Sequence, residues 1–232
     1  MPSPVDSPDR MSALALGGGS LLMLFAMAHH PTGVAHAASL EAMSRGATLS
    51  AWVHGTLIAS MLVVLWGFLA LAQSLGWRSR RTRIGLVAYA FGTTFLVGAA
   101  LVSGFVAPRL ALGGALQGGS EALGPGLRLL WETNQALAQA GTVALSAALV
   151  AWSAVLLFRG TWARVLGVAG LAIGLGTPAF LMAGGLHLDV RGMGAVLVAQ
   201  VAWNVGVAAW LFAGADAQAG QSQAKTAPVA SP

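Results

Sequence analysis

The sequence has no cysteine and very few charged residues, and each shortage excludes a class of protein. Of its 232 residues, 8% are charged and 56% are hydrophobic. A soluble domain carries about 25% charged residues, so this chain cannot cover a surface that faces water. Without cysteine, disulfides, thiolate metal sites, iron–sulfur clusters and cysteine nucleophiles are all excluded. An integral membrane protein is the class that remains.

Lysine is also scarce, because Lys225 is the single lysine and arginine supplies the other positive charges. A net charge of +5 would suggest a nucleic-acid partner in a soluble protein. Here the arginines lie in short connections between apolar runs, which is the pattern that orients membrane helices. The sequence therefore predicts no nucleic-acid partner. Its abundance of Arg, Ala and Gly is typical of a GC-rich bacterium.

Long hydrophobic runs are what the sequence has in abundance. A membrane-spanning helix needs about 20 mostly apolar residues. Six windows meet this requirement, at about 11–29, 50–74, 84–107, 132–158, 163–184 and 192–214. They predict an all-α, polytopic integral membrane bundle of six transmembrane helices within residues 11–214, surrounded by the lipid bilayer. The flanking segments 1–10 and 215–232 are predicted to be disordered, since few of their residues could join a core.

The arginines also predict how the bundle is oriented. The denser set of connections carries Arg10, Arg78, Arg80, Arg81, Arg83, Arg159, Arg164 and Lys225. The sparser set carries Arg45, Arg109, Arg128 and Arg191. The denser set is expected in the cytoplasm, which places both termini inside a bacterial cytoplasmic (inner) membrane. Alternatively, the first window followed by Ala35-His36-Ala37 resembles a cleavable signal peptide, and five helices would then remain.

Two of the windows share a pattern of small residues and tryptophan at identical spacing. The second carries Gly55, Thr56, Ser60, Val64 and Trp66, and the fourth carries Gly141, Thr142, Ser146, Val150 and Trp152. The sixth window contains a weaker copy that includes Trp203. Even-numbered helices run in the same direction in such a bundle, so the pattern predicts a parallel repeat of helical hairpins.

Four amides form a polar stripe within the apolar windows: Gln135, Gln139, Gln200 and Asn204. Amides in the hydrocarbon layer are costly unless they are paired, so these are expected to face the bundle interior. They either line the pathway of a small-molecule permease or hold neighbouring helices together by hydrogen bonds. No Asp, Glu, Lys or Arg lies deep in any window, which argues against ion-coupled transport.

The histidines are the most suggestive chemical feature. In the predicted topology all five fall on the outer side: His29, His30, His36, His54 and His187. Met23, Met27 and His30 also share one face of the first helix. Imidazole with thioether suits Cu(I), whereas two imidazoles, or His with Met, could be axial ligands of haem. The candidate metal ligands are His54, His30, His187, His29 and Met27, with His54 leading because a helix fixes its position.

The function predicted from these features is a non-catalytic accessory or assembly subunit, since no nucleophile or acid–base motif is found. Its partners would be other membrane subunits or a second copy of the chain. A copper-binding or haem-binding redox protein with an outer-face His/Met site is one alternative. A small-molecule permease with a polar stripe is another. Under the leading hypothesis the histidines are ordinary residues of the membrane interface.

Overall fold

The computed structural model describes residues 10–31, 39–116 and 120–226, which are helical apart from short connections. The helices are α1 Arg10–Ala28, α2 Leu40–Leu75, α3 Arg80–Leu101, α4 Ala107–Leu116, α5 Ser120–Leu156, α6 Thr161–Met182 and α7 Val190–Thr226. A π-helical segment, Val102–Val106, joins α3 to α4 without a break. Within the described residues, six stretches are long and apolar enough to cross a membrane. The predicted all-α bundle of six membrane spans is confirmed.

The six spans form a closed ring in chain order. Each span packs against the one before it and the one after it, and α7 packs against α1 to close the ring. Glycines permit the closest approaches between neighbouring backbones. A Cβ atom on Gly67 would lie 2.7 Å from the Cα of Leu16, and one on Gly92 would lie 2.9 Å from the carbonyl oxygen of Gly141.

The two ends of the ring carry different chemistry. The arginine end holds Arg10, Arg78, Arg80, Arg81, Arg83, Arg159 and Arg164, and the histidine end holds His29, His30, His54 and His187. At the arginine end, the guanidinium of Arg159 donates to the carbonyl of Leu75 across 2.7 Å. This bond satisfies one of the last carbonyl groups of α2, which have no partner within the helix.

Helices α2, α4 and α5 extend beyond the predicted spans at the histidine end. The 36 residues of α2 correspond to about 54 Å of helix, against a hydrocarbon layer of about 30 Å. Its first ten residues precede the predicted start at 50, and α5 likewise begins twelve residues before 132. Since α4 packs against both α2 and α5, the three ends form a joint projection.

The last helix also runs further than its predicted end at 214, because α7 continues to Thr226. Residues 215–226, to which the composition assigns disorder, are therefore helical in the structure. Ala, Gln and Lys are good helix formers, and they allow an apolar span to continue into water without a break. Segments 1–9 and 227–232, together with His36, lie outside the described residues.

Two of the three tryptophans in the predicted repeat occupy equivalent positions. The indole N–H of Trp152 donates to the carbonyl of Thr82 across 3.2 Å, and that of Trp203 donates to Leu166 across 2.8 Å. Each ring also lies against a glycine of the neighbouring helix. Trp66 is instead 55% exposed on the outside of the ring. The equivalence therefore covers α5 and α7 and does not extend to the tryptophan of α2.

Candidate functional site

A cavity of about 350 Å³ lies inside the histidine half of the ring. One face of every span lines it. On α5 the lining residues recur every three or four positions from Trp131 to Leu149, and on α7 from Val190 to Asn204. Eighteen residues of helix rise by about 27 Å, so the cavity is elongated along the bundle axis.

An aromatic cluster fills the ring between this cavity and the arginine end. The ring of Phe68 stacks on Trp152 with centroids 4.5 Å apart, and it contacts Tyr89 at 4.3 Å. Trp203 completes the cluster at 6.3 Å from Phe68, and all four side chains are buried. The deep end of the cavity is thus closed by packed aromatic rings, and its mouth is at the histidine end.

Two histidines meet at this mouth. His54 lies on α2 and is 3% exposed, and His30 follows the last turn of α1. Their Nε2 atoms are 3.2 Å apart, and the two rings meet edge to face at 72°. The helix places His54 rigidly. The main chain of His30 is held by its N–H bond to the carbonyl of Met27, 3.1 Å away.

Backbone carbonyls fix the tautomer of both rings. The Nδ1 atom of His54 is 2.8 Å from the carbonyl oxygen of Ser50, and that of His30 is 3.0 Å from the carbonyl oxygen of Pro31. A carbonyl oxygen can only accept, so each Nδ1 carries the proton and donates it. In a neutral imidazole the other nitrogen then has no proton. Two Nε2 atoms without a proton therefore lie 3.2 Å apart.

The π-helical segment brings a hydroxyl group to the same place. The Oγ atom of Ser103 is 2.9 Å from Nε2 of His54 and 2.9 Å from the carbonyl oxygen of Ala99. Its single proton can satisfy one of these acceptors at a time. The next residue is Gly104, where a Cβ atom would overlap the Cβ and Cγ atoms of His54. Glycine therefore lets the segment approach the histidine closely.

The electrostatics favour the neutral form of His30. Burial lowers the pKa of its imidazole below 6.5, and the hydrogen bond to Pro31 opposes this shift only in part. At neutral pH the ring is uncharged and its Nε2 lone pair is available to bind a cation. The mouth of the cavity thus carries two imidazole Nε2 atoms that can each offer a lone pair to a metal ion.

The structure brings some of the predicted metal ligands together and leaves others apart. Met27 lines the same cavity as His30 and His54. His29 is exposed and donates from Nδ1 to the carbonyl of Phe25, and His187 is exposed outside the cavity lining. Among the described residues, no three His, Asp or Glu side chains converge. The available ligand set is two imidazoles with a thioether.

Three of the four predicted amides line the cavity, namely Gln135, Gln200 and Asn204, whereas Gln139 is exposed outside it. Two of them also form hydrogen bonds that link separate parts of the bundle. Gln135 donates to the carbonyl of Leu188 across 3.1 Å, and the amide nitrogen of Asn204 donates to Ser20 Oγ across 2.9 Å. The polar stripe therefore both links neighbouring helices and faces the cavity.

The sequence does not single out Ser50, Ser103 or Gly104, although the contacts of His54 depend on all three. One signal is available for Ser50, which precedes His54 by four positions and so lies on the same face of α2. Nothing comparable identifies Ser103 and Gly104, because a π-helical turn changes which residues of a helix face inward.

The fold and the site together define a class: an all-α integral membrane protein of six spans, with two histidines at the mouth of an internal cavity. No family model, curated protein or solved structure matches the chain. The chemistry of the site is therefore the basis for assigning a function.

Proposed function

We propose that this protein binds Cu(I) at the mouth of its cavity, with His30 and His54 as nitrogen ligands and Met27 as a thioether ligand. The observation that carries the proposal is the pair of Nε2 atoms 3.2 Å apart, each left without a proton because its Nδ1 donates to a backbone carbonyl. Two unprotonated nitrogens at this distance repel each other, and a cation bound to both removes the repulsion.

The separation of the two nitrogens suits a single metal ion bound to both. With metal–nitrogen bonds of about 2.0 Å, nitrogens 3.2 Å apart subtend an angle of about 106° at the metal, close to the tetrahedral value. Two axial imidazoles of a haem would lie on opposite faces of the ring, about 4 Å apart at the same bond length. The spacing therefore favours a single metal ion over haem.

The chemistry of the donors favours copper in its reduced state. Thioether ligands select soft ions such as Cu(I), and imidazole also binds copper well. Met27 lies in the last turn of α1 and His30 two residues after its end, and both line the cavity, so both side chains can reach one ion. Asp189 also lines the cavity, but its carboxylate accepts the N–H of Gly192 across 2.8 Å at the start of α7.

The distribution of arginine supports an orientation for this site. The seven arginines of the arginine end would lie in the cytoplasm, since positively charged loops resist translocation. The copper site would then be on the outer side of a bacterial inner membrane, with both termini inside. The packing of α1 between α2 and α7, and the hydrogen bond that its Ser20 accepts from Asn204, support a retained first span instead of a cleaved signal peptide.

We further propose a non-catalytic, accessory role in which copper is held for transfer to other membrane subunits or to a second copy of the chain. The joint projection of α2, α4 and α5 supports this role, because it stands at the same end of the ring as the histidine pair. A small-molecule permease is the weaker candidate, since packed aromatic rings separate the cavity from the arginine end.

Anaerobic titration of the detergent-purified protein with Cu(I), against a coloured chelator, tests the proposal. The expected stoichiometry is one ion per chain, lost in His30→Ala and in His54→Ala and weakened in Met27→Leu. The matched controls are His29→Ala and His187→Ala, which remove exposed histidines and should retain copper. A wild-type protein that binds no Cu(I), or equal retention by all of these variants, would overturn the copper site.

A further inference from the structure

The deep end of the cavity contains a buried polar atom without a partner. Asn204 is 3% exposed and lines the cavity just above the aromatic cluster. Its amide nitrogen donates to Ser20, but its Oδ1 atom finds no hydrogen-bond partner among the described residues. A buried carbonyl oxygen without a donor is unfavourable, and most such atoms in proteins are paired. Asn204 lines the cavity, so a small rotation of its side chain would expose this oxygen to a bound molecule that can donate a hydrogen bond.

Above Asn204 the walls of the cavity are mainly apolar. Leu57, Met61, Leu96, Leu145 and Leu197 contribute them from four different helices. The lining residues of α7 extend over about 21 Å from Val190 to Asn204, at 1.5 Å per residue. A volume of about 350 Å³ over such a length fits an extended chain better than a compact ring system.

The charge of the lining restricts what the polar group of such a chain can be. Among the described residues that line the cavity there is no Lys or Arg. A carboxylate or phosphate would be buried beside Asn204 without a cation, which is strongly unfavourable. An uncharged hydroxyl group can donate to the Asn204 oxygen at no such penalty.

We infer that the cavity binds an uncharged long-chain alcohol, whose hydroxyl group donates to Oδ1 of Asn204 and whose chain extends toward the mouth. The inference goes beyond the copper site and does not rest on it, because it concerns the opposite end of the cavity. Loss of copper binding would leave it intact, and loss of alcohol binding would leave the copper site intact.

Equilibrium binding of radiolabelled dodecanol to the full chain in lipid nanodiscs, with empty nanodiscs subtracted, tests this inference. We expect one saturable site per chain for dodecanol and none for dodecanoate, whose carboxylate finds no cation. Asn204→Leu should abolish the site, and Asn204→Ala should weaken it at least tenfold. Gln139→Leu, a matched substitution of an exposed amide outside the cavity lining, should leave binding within about twofold of the wild type.

The competing explanation is that water alone satisfies the Asn204 oxygen. In that case the wild type shows no saturable site for dodecanol, and the inference is overturned. Equal binding of dodecanol and dodecanoate, or unchanged binding in Asn204→Ala, also overturns it. The alanine variant retains a small side chain at a cavity wall, so it keeps the test decisive if Asn204→Leu does not fold.

Discussion

Replacing Gly104 by alanine should disturb the histidine pair, although the change adds one methyl group far from any charge. The new Cβ atom would overlap the Cβ and Cγ atoms of His54 and lie 2.9 Å from its Nδ1 atom. The ring of His54 is held by the hydrogen bond from its Nδ1 atom to the carbonyl of Ser50, so it cannot move away freely. Either the π-helical segment shifts outward or the imidazole rotates, and both movements change the distance between the two Nε2 atoms.

The size of this effect follows from overpacking. Extra methyl groups in a packed interior typically cost about 1–3 kcal/mol. Replacing glycine by alanine also stabilises a helix by about 1 kcal/mol, so a control variant is needed to remove that contribution. Gly113 in α4 provides it, because a Cβ atom there meets nothing within 4 Å. Gly104→Ala should therefore be less stable than Gly113→Ala by about 1–3 kcal/mol.

Thermal unfolding of the two variants in detergent, followed by circular dichroism, measures this difference, and the Cu(I) titration measures its consequence. We expect Gly113→Ala to unfold at or above the wild-type temperature and to bind copper normally. Gly104→Ala should unfold earlier and bind Cu(I) more weakly. If the two variants match in both assays, the close approach of the π-helical segment to His54 does not position the pair.

Three further predictions concern pH, packing and topology. Burial lowers the pKa of His30 below 6.5, and copper binds only the neutral ring. Bound Cu(I), measured by competition with a chelator, should therefore persist at pH 6.5 and be lost only at lower pH. Release that begins above pH 7 would contradict this. In thermal unfolding, Ser60→Leu should lower the stability of the bundle by about 1–3 kcal/mol. Ser146→Leu should lower it less, because the side chain of Ser146 lines the cavity. Equal losses of stability would show that the cavity is not open at Ser146. Reporter fusions should give an external signal at Gly118 and a cytoplasmic signal at Lys225, and the reverse at either position would refute the orientation.

The membrane spans are predictable from the sequence because hydropathy is a local property of each helix. The orientation of adjacent histidines is not local. His29 and His30 both follow the last residue of α1, and only one of them, His30, lines the cavity. Which one does so depends on how α1 packs against α2 and α7, and the sequence of α1 alone does not reveal that.

The cavity itself is the part of the site that sequence analysis predicts least well. Gln135 and Gln139 are four residues apart and share a face by spacing, yet only Gln135 lines the cavity. A separation of four residues still leaves about 40° of rotation, enough to move a side chain from the inner face to the edge of a helix. Whether amides pair with each other or leave a space between them depends on the ring that all six spans form together.

X-ray absorption at the copper edge of the Cu(I)-loaded protein tests the copper site most directly, because it counts the donor atoms around the ion. The proposal predicts two imidazole nitrogens and one thioether sulfur, at about 2.0 Å and about 2.3 Å if the copper bonds are as long as those of zinc to nitrogen and sulfur. His30→Ala and His54→Ala should each remove one nitrogen from that shell. A shell without two imidazoles, or a spectrum that neither substitution changes, would contradict the assignment of His30 and His54 as copper ligands.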